Sequence, residues 1–324
     1  MKPQVSVILT VYKRTDFLRQ ALDSAMAQTF SAREIIVADD SGNGAARDIC
    51  GPLADAGHIR YLANERTLGA AGSIRKALAE ADGEFISILN DDDVWEADFL
   101  SRLVVPLQSD SERVLAFSDH WIISENGSID QEATDKNTKR YGRLHLKEGD
   151  MSDPAHLVLV DNAVPLAMAA LFRKSALDFA LLTDDVSAAY DFWISCLLAA
   201  SNGKFYYVPV RLTRYRMHQR METARHDPAK SQNHVYIFSQ LLERNWFPAM
   251  NGHLRLKLAE ALFQLGRDRL RFNRSREARQ IFLKSFKTQP GIRPAAAVAV
   301  SFVPKSLRRL SGLTRASDDC PIET

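Results

Sequence analysis

The sequence predicts an α/β protein, a mostly parallel sheet flanked by helices and continued by an all-helical C-terminal extension. Three observations carry this. Short apolar runs alternate with amphipathic stretches over residues 1–105; the runs end in clusters of Asp, Ser, Asn and Gly; and strand signals stop beyond residue 227. Alternation of strand and helix signals is the mark of crossover units, which build parallel sheets with helices on both faces.

The elements follow in order. Val5-Ser6-Val7-Ile8-Leu9-Thr10 reads as a buried strand, and the next stretch places Phe17, Leu18, Ala21, Leu22 and Ala25 on one helical face. Glu34-Ile35-Ile36-Val37-Ala38 is a second strand, closed by the turn cluster Asp39-Asp40-Ser41-Gly42-Asn43-Gly44. A helix over Ala45–Cys50, a short strand at Ile59–Leu62 and a helix after Leu68–Ser73 lead to Glu84-Phe85-Ile86-Ser87-Ile88-Leu89, a fourth strand bounded by Gly83. Farther on, Val114–Ser118 and Leu166–Phe172 read as strands, with a helix beginning near Lys174. A helix around Asp191 and a strand at Phe205–Pro209 follow. The polar stretch Ser124–Asp150 reads as a mobile insertion, a lid or a surface loop. From Asp227 onward the pattern is helical: Leu254–Arg271 and Arg276–Phe286 resemble one tetratricopeptide-type hairpin. The tail joins a small-apolar segment (Ala295–Val303) to Lys305, Arg308, Arg309 and Arg315. Such a tail suits either peripheral contact with an anionic membrane or a docking helix with a solvated end.

Composition narrows the function. The 324 residues carry a net charge of +2, which gives no reason to expect nucleic-acid binding. Cys50, Cys196 and Cys320 are scattered and odd in number, which suits a reducing cytosol and excludes a disulfide framework or a zinc site. Neither a signal-peptide pattern nor an apolar run long enough to span a bilayer is expected. The expected location is therefore cytoplasmic, either free or attached peripherally at the inner face of a membrane through the basic tail.

The chemistry concentrates at Asn90-Asp91-Asp92-Asp93-Val94-Trp95, where three carboxylates follow a buried strand. Open α/β sheets bind ligands at that end of their strands. Closely spaced carboxylates resist ionising together unless a cation joins them, and oxygen ligands suit Mg2+ or Mn2+. The plain alternative is an Asp-rich turn capping a helix that begins near Trp95.

Three segments together resemble the signatures of glycosyltransferase family 2: Val5 to Arg14, Glu34 to Ser41, and Gly83 to Trp95. The resemblance covers roughly residues 3–220. It implies a GT-A (Rossmann-like) fold, a nucleotide-sugar donor, a divalent metal (Mg2+ or Mn2+) and inversion at the anomeric centre. It divides the chain into a GT-A domain over 1–226 (a nucleotide-binding half to 105 and an acceptor-side half from 106) and the helical extension 227–324.

Residue by residue, the resemblance assigns Thr10 and Tyr12 to the nucleoside, Tyr12 stacking on the base; packing over the sheet end is the plainer reading of that tyrosine. Asp40 would accept a uracil N–H, although Asp-Ser-Gly is also a good turn sequence; Asp39 reads as a structural turn residue. Asp91 is assigned to the ribose and the nearby metal shell, and Asp92 to direct ligation. Asp93 reads as a further metal-side acid or a helix cap. Asn90 stands where the family often has Asp, and Ile74-Arg75 replaces a common Arg-Asn pair.

The general base is assigned to Asp191 in Asp191-Phe192-Trp193; Ala188 and Ala189 stand where many relatives carry acids, and Asp184 and Asp185 are the fallback bases. Thr213-Arg214-Tyr215-Arg216-Met217-His218 resembles the element that ends the catalytic region, His218 touching diphosphate or metal and Arg216 offering charge. The expected reaction is transfer of a sugar from a nucleoside diphosphate, UDP first, to a glycan or lipid-linked acceptor in cell-surface polysaccharide synthesis. Two alternatives stay open: a nucleotide-sugar-binding or scaffolding protein with impaired catalysis, and a sugar nucleotidyltransferase. The latter would need a Gly-rich loop that Thr10-Val11-Tyr12-Lys13 lacks.

Overall fold

The structure is a computed structural model that describes residues 4–220 and 228–303. It divides the chain into two compact units, residues 1–224 and 225–324.

The first unit begins with β1 (Val5–Val11), α1 (Leu18–Met26), β2 (Glu34–Asp39), α2 (Arg47–Asp55), β3 (Arg60–Ala63), α3 (Ala70–Glu80) and β4 (Phe85–Asn90). These strands pair in parallel in the order β3-β2-β1-β4. All of β1 except Thr10 is buried, which is why it reads as an unbroken apolar run rather than an alternating one. Gly83 brings the chain into β4 beside β1; a Cβ there would lie 2.4 Å from the Ser6 nitrogen. The chain lays β1, β2 and β3 outward in one direction and then returns past β1 to place β4 on its other side. Strand order reverses there, so the crevice beyond the ends of β1 and β4 is a topological switch point. Thr10 lies in register with Ala38 on one side and Asn90 on the other, which puts Tyr12, Asp40 and Asp91 just past the same sheet edge.

The unit continues through β5 (Val94–Trp95), α4 (Phe99–Ser109), β6 (Arg113–Ile123), α5 (Gln131–Arg140), β7 (Gly149–Asp150), α6 (Pro154–Leu159), α7 (Leu166–Ala169), β8 (Ala170–Arg173), α8 (Tyr190–Ala200) and β9 (Lys204–Arg216). The full sheet runs β3-β2-β1-β4-β8-β6-β9-β5, with β7 also on β9. Its second half is mixed: β8 is antiparallel to both β4 and β6, β6 and β9 are parallel, and β5 and β7 are antiparallel to β9. One face is filled by Val5, Val7, Leu9, Leu18, Leu22, Phe99, Leu103 and their neighbours.

Three local expectations change. Leu166–Phe172 splits into the helical turn α7 and the short strand β8; the run Leu-Ala-Met-Ala holds good helix formers and follows Pro165. The helix expected near Lys174 is a single 3-10 turn, Lys174–Ala176. Ser124–Asp150 is built structure rather than a mobile insertion. Asp130 caps α5 by accepting the Ala133 N–H, and Thr134 Oγ1 accepts the Ile122 N–H at 2.9 Å. Thr138 donates to Asp119 Oδ2 at 2.7 Å, and Arg143 Nε donates to Asp119 Oδ1 at 2.8 Å.

The second unit contains α9 (Pro228–Arg244), α10 (Asn251–Arg271), α11 (Ser275–Thr288) and α12 (Ile292–Val300). Leu270, Ala278, Phe282 and Ala297 form its small core. Gly266 admits the Phe282 ring, since a Cβ there would lie 2.5 Å from Cε1. Among the described residues no helix is long and apolar enough to cross a membrane. The basic positions Lys305, Arg308, Arg309 and Arg315 lie outside the described residues.

Candidate active site

Five segments converge at the sheet edge: the loops after β1, β2 and β4, the segment after β9, and the start of α8. After β2 the two aspartates separate in role. Asp39 is fully buried and accepts from Ser41 N–H, Ala46 N–H and the Tyr61 hydroxyl, closing the turn into α2. Asp40 holds the loop before α3 through one oxygen, Oδ1, which accepts from Asn64 Nδ2 at 2.9 Å and Leu68 N–H at 2.7 Å. Among the described residues its second oxygen takes part in no side-chain hydrogen bond. Tyr12 is 41 % exposed, with the Lys13 ammonium 5.0 Å from its ring centroid. An exposed phenol ring at a strand end offers a flat surface for a base.

The acid triplet does not cap a helix. Val94 and Trp95 pair with β9, and helix α4 starts only at Phe99. Each carboxylate has a different setting. Asp91 receives Arg14 Nη2 at 2.7 Å and lies 3.5 Å from the Tyr12 N–H. Burial, with the charge of Asp92 added, pushes Asp91 up to about 7 against the opposing pull of Arg14. Asp92 Oδ2 lies 3.0 Å from His218 Nε2 and 3.1 Å from Arg14 Nη1. Asp93 is turned inward: Oδ1 accepts the Arg216 N–H at 3.1 Å and Oδ2 accepts from Asn90 at 3.0 Å. Burial first, then the charge of Asp92, holds Asp93 well above the usual carboxylate range.

Among the metal-side residues expected from sequence, Asp92 and His218 are thus brought together, and Asp93 is not aimed at them. No three His, Cys, Asp or Glu side chains converge as a metal set among the described residues. The pair still fits a hard divalent ion. A spacing of 3.0 Å suits neighbouring ligands on an octahedral ion with bonds of about 2.1 Å, and Mg2+ commonly takes one or two protein ligands with the rest from phosphate and water.

Arg216, expected to offer charge to a ligand, is instead a fully engaged internal tie. It is 2 % exposed and donates to Asp92 O, Glu125 O and Gln20 Oε1, with its guanidinium 4.4 Å from the Phe17 ring centroid. Arg75 is part-exposed; it donates to Leu182 O at 2.7 Å and pairs with Asp184 at 2.8 Å. Asp184, with Asp185 a fallback base, is exposed and tied down by that pair.

Asp191 lies in the first turn of α8, where the helix N-terminus favours a negative charge. Its Oδ1 accepts the Phe192 N–H at 2.7 Å, and burial raises its pKa. The preceding turn contains Ser187 at φ 42°, an uncommon conformation for a side-chain-bearing residue. The neighbouring Tyr190 hydroxyl is held protonated by burial first and then by the charges of Asp191, Asp93, Asp91 and Asp92.

Sequence reasoning missed Arg14. It adjoins the first motif, yet nothing in the pattern says that its side chain turns back onto Asp91 and Asp92. Burial works against its charge, but the two acids outweigh that and raise its pKa.

The chain is 29% identical over 224 residues to an uncharacterised glycosyltransferase of Methanocaldococcus jannaschii, covering 68% of this chain and 72% of that one. It is 28% identical over 148 residues to the GalNAc(5)-diNAcBac-PP-undecaprenol beta-1,3-glucosyltransferase of Campylobacter jejuni, covering 45% of this chain and 47% of that one. The chain therefore spans under half the length of the latter. Among solved structures, S. aureus TarS 1–349 in complex with UDP-GlcNAc superposes with a TM-score of 0.63 at 15% identity, over 97% of this chain and 88% of that one. The mannosyltransferase PcManGT of Pyrobaculum calidifontis, in complex with GDP-Man and Mn2+, gives 0.55 at 15% identity, over 97% and 84%. At these identities the likeness establishes the fold, a GT-A type layered sheet. The family model described as glycosyl transferase family 2 matches residues 6–177, more than half of the chain. The chain belongs to glycosyltransferase family 2.

Proposed function

We propose that this transferase is a metal-dependent inverting enzyme that moves a sugar from a nucleoside diphosphate, UDP first, to a glycan or lipid-linked acceptor of cell-surface polysaccharide synthesis. The observation that carries this is the meeting of Asp92 with His218 at the switch point, beside Asp40 and Tyr12. Thr10 and Tyr12 line the nucleoside, Asp40 accepts the base N–H through its second oxygen, and Asp91 lies on the ribose side. Asp92 and His218 hold Mg2+ or Mn2+, which when bound neutralises charge on the departing diphosphate.

Asp191 is the general base. It takes the proton of the acceptor hydroxyl as that oxygen attacks the anomeric carbon from the face opposite the diphosphate. The bond to the diphosphate oxygen breaks in the same step, and the configuration inverts. A partly buried carboxylate with a raised pKa is better matched to that proton than a solvated one.

UDP-GlcNAc in the TarS complex and Mn2+ in the mannosyltransferase complex support the choice of donor class and metal. The undecaprenol-linked substrate named for the Campylobacter relative supports a lipid-linked acceptor, and with it a place at the inner face of the membrane. The test is turnover of UDP-sugars with Mn2+, by hydrolysis and by transfer to a diphosphoundecaprenol-linked sugar. Asp92→Ala should abolish it and Asp191→Asn should nearly do so.

A second reading rests on Ala188 and Ala189, which leave the turn before α8 without the acids common in relatives. A nucleotide-sugar-binding or scaffolding protein would bind UDP-sugars without turnover, and Asp191→Asn would change nothing.

A further inference from the structure

Asp92 Oδ2 faces two groups at once, the Arg14 guanidinium in an ion pair at 3.1 Å and His218 Nε2 at 3.0 Å. A single residue backs both. The Arg220 carbonyl accepts from Arg14 Nη1 at 3.1 Å, and the Arg220 N–H donates to His218 Nδ1 at 3.2 Å. A ring nitrogen that accepts a hydrogen bond obliges a neutral imidazole to carry its hydrogen on the other nitrogen. His218 in this arrangement therefore donates to Asp92 and presents no lone pair to it. The same segment is stitched to the loop after β1 by the Arg220–Asp16 ion pair and by the Phe17 ring, 5.4 Å from that of His218.

We propose that Arg14 is a latch on the cation site: it keeps free divalent ions off Asp92 and releases the carboxylate when a nucleoside diphosphate is present. This rests on the reading of Asp92 and His218 as cation ligands. An ion arriving alone must displace Arg14 from its ion pair with Asp92, while the guanidinium stays hydrogen-bonded to Asp91, and obtain the other tautomer of His218. Nη1 faces Asp92 and donates to the Arg220 carbonyl, so its departure frees one side of Arg220, whose N–H on the other side fixes that tautomer. A diphosphate removes both obstacles. Its oxygens give the guanidinium a better-matched partner and fill the remaining positions on the ion. Ion and diphosphate then favour one another by more than their direct contact, a coupling that works equally in both directions.

The latch is tested on the full-length chain by titrating Mn2+ and reading free Mn2+ by electron paramagnetic resonance, with and without UDP. Wild type should bind Mn2+ weakly alone and tightly with UDP. Arg14→Gln should bind Mn2+ alone about tenfold more tightly or better, since the ion pair that occupies Asp92 is gone, and should gain less from UDP. Arg14→Lys, which keeps the charge, should stay near wild type. Arg14→Met, checked with Arg14→Gln by circular dichroism, guards against an effect of one particular side chain. Folded Gln and Met variants that bind Mn2+ alone no better than wild type, while wild type with UDP binds it through Asp92, overturn the latch and leave the cation reading intact. Full Mn2+ binding by Asp92→Asn in the presence of UDP overturns the cation reading, and the latch with it.

Discussion

Asp93 Oδ1 accepts the backbone N–H of Arg216 at 3.1 Å across 123 residues of sequence. The Arg216 side chain returns the tie by donating Nε to the Asp92 carbonyl at 2.9 Å. The acid loop and the end of β9 are thereby one piece, and His218, two residues farther on, reaches Asp92 because of it. Arg216→Met removes three donors from a buried position. We expect a loss of about 2–5 kcal/mol in urea-unfolding stability, from acceptors left without partners. Equal stability of the variant and wild type would show that Arg216 is dispensable to the fold.

Asp40 spends one oxygen on its own loop and keeps the other. Asp40→Asn can retain the bonds from Asn64 and Leu68 while turning an NH2 toward the base, donor facing donor. We expect UDP binding by calorimetry to weaken about tenfold to a hundredfold, the range for a hydrogen bond to a charged group, with the fold unchanged. Unaltered affinity would remove Asp40 from the nucleotide site.

For Asp191 the expected signature is kinetic. Asp191→Asn should lower kcat by about 10²–10⁴, the range for a lost general base, while donor affinity stays near wild type. A fall in donor affinity with kcat preserved would assign Asp191 to binding.

His120 gives stability a pH dependence that is unconnected with turnover. Its ring is buried, Nδ1 has no hydrogen-bond partner, and burial, with the nearby Arg143 charge, pushes it down to about 3. The unfolded chain takes up a proton near pH 6.5 while the folded ring does not until about 3. The contribution of this neutral ring is therefore complete above pH 6.5 and is lost progressively as pH falls toward 3. Asp119, held below the usual carboxylate range with Arg143 as its cationic partner, adds a loss in the same direction at the acid end. His120→Gln should flatten the dependence of the urea midpoint between pH 6.5 and 4; an unchanged slope would contradict this.

In the helical unit, Gly266→Ala sets a methyl 2.5 Å from the Phe282 ring. Overpacking of this kind costs about 1–3 kcal/mol, so thermal unfolding of that unit should move to lower temperature.

How much of this was legible depends on what kind of force builds each part. Strands β1, β2 and β4 are buried on both faces and appear as continuous apolar runs, so the switch point and its flanking residues Tyr12, Asp40 and Asp91 could be located from sequence. Pairing in the second half could not: nothing in Leu171-Phe172 says that β8 will run antiparallel between β4 and β6. Helix α5 escaped because its buried positions are Thr134 and Thr138, four residues apart and both polar. A scan for apolar periodicity does not register them, although Asp130 was a readable cap. Arg14 and Arg216 were misjudged for a related reason. Sequence shows that a positive charge is present, while only the fold shows that Arg14 faces Asp91 and Asp92 and that Arg216 is enclosed.

The way α5 is held has a consequence for motion. Its docking relies on directional bonds, from Ile122 N–H to Thr134 and from Thr138 and Arg143 to Asp119. Water can replace each of these, and the stripe that would be uncovered is made of hydroxyls. Detachment of this helix from β6 would wet little hydrocarbon, so the denaturant dependence of its amide exchange should be shallow beside that of β1.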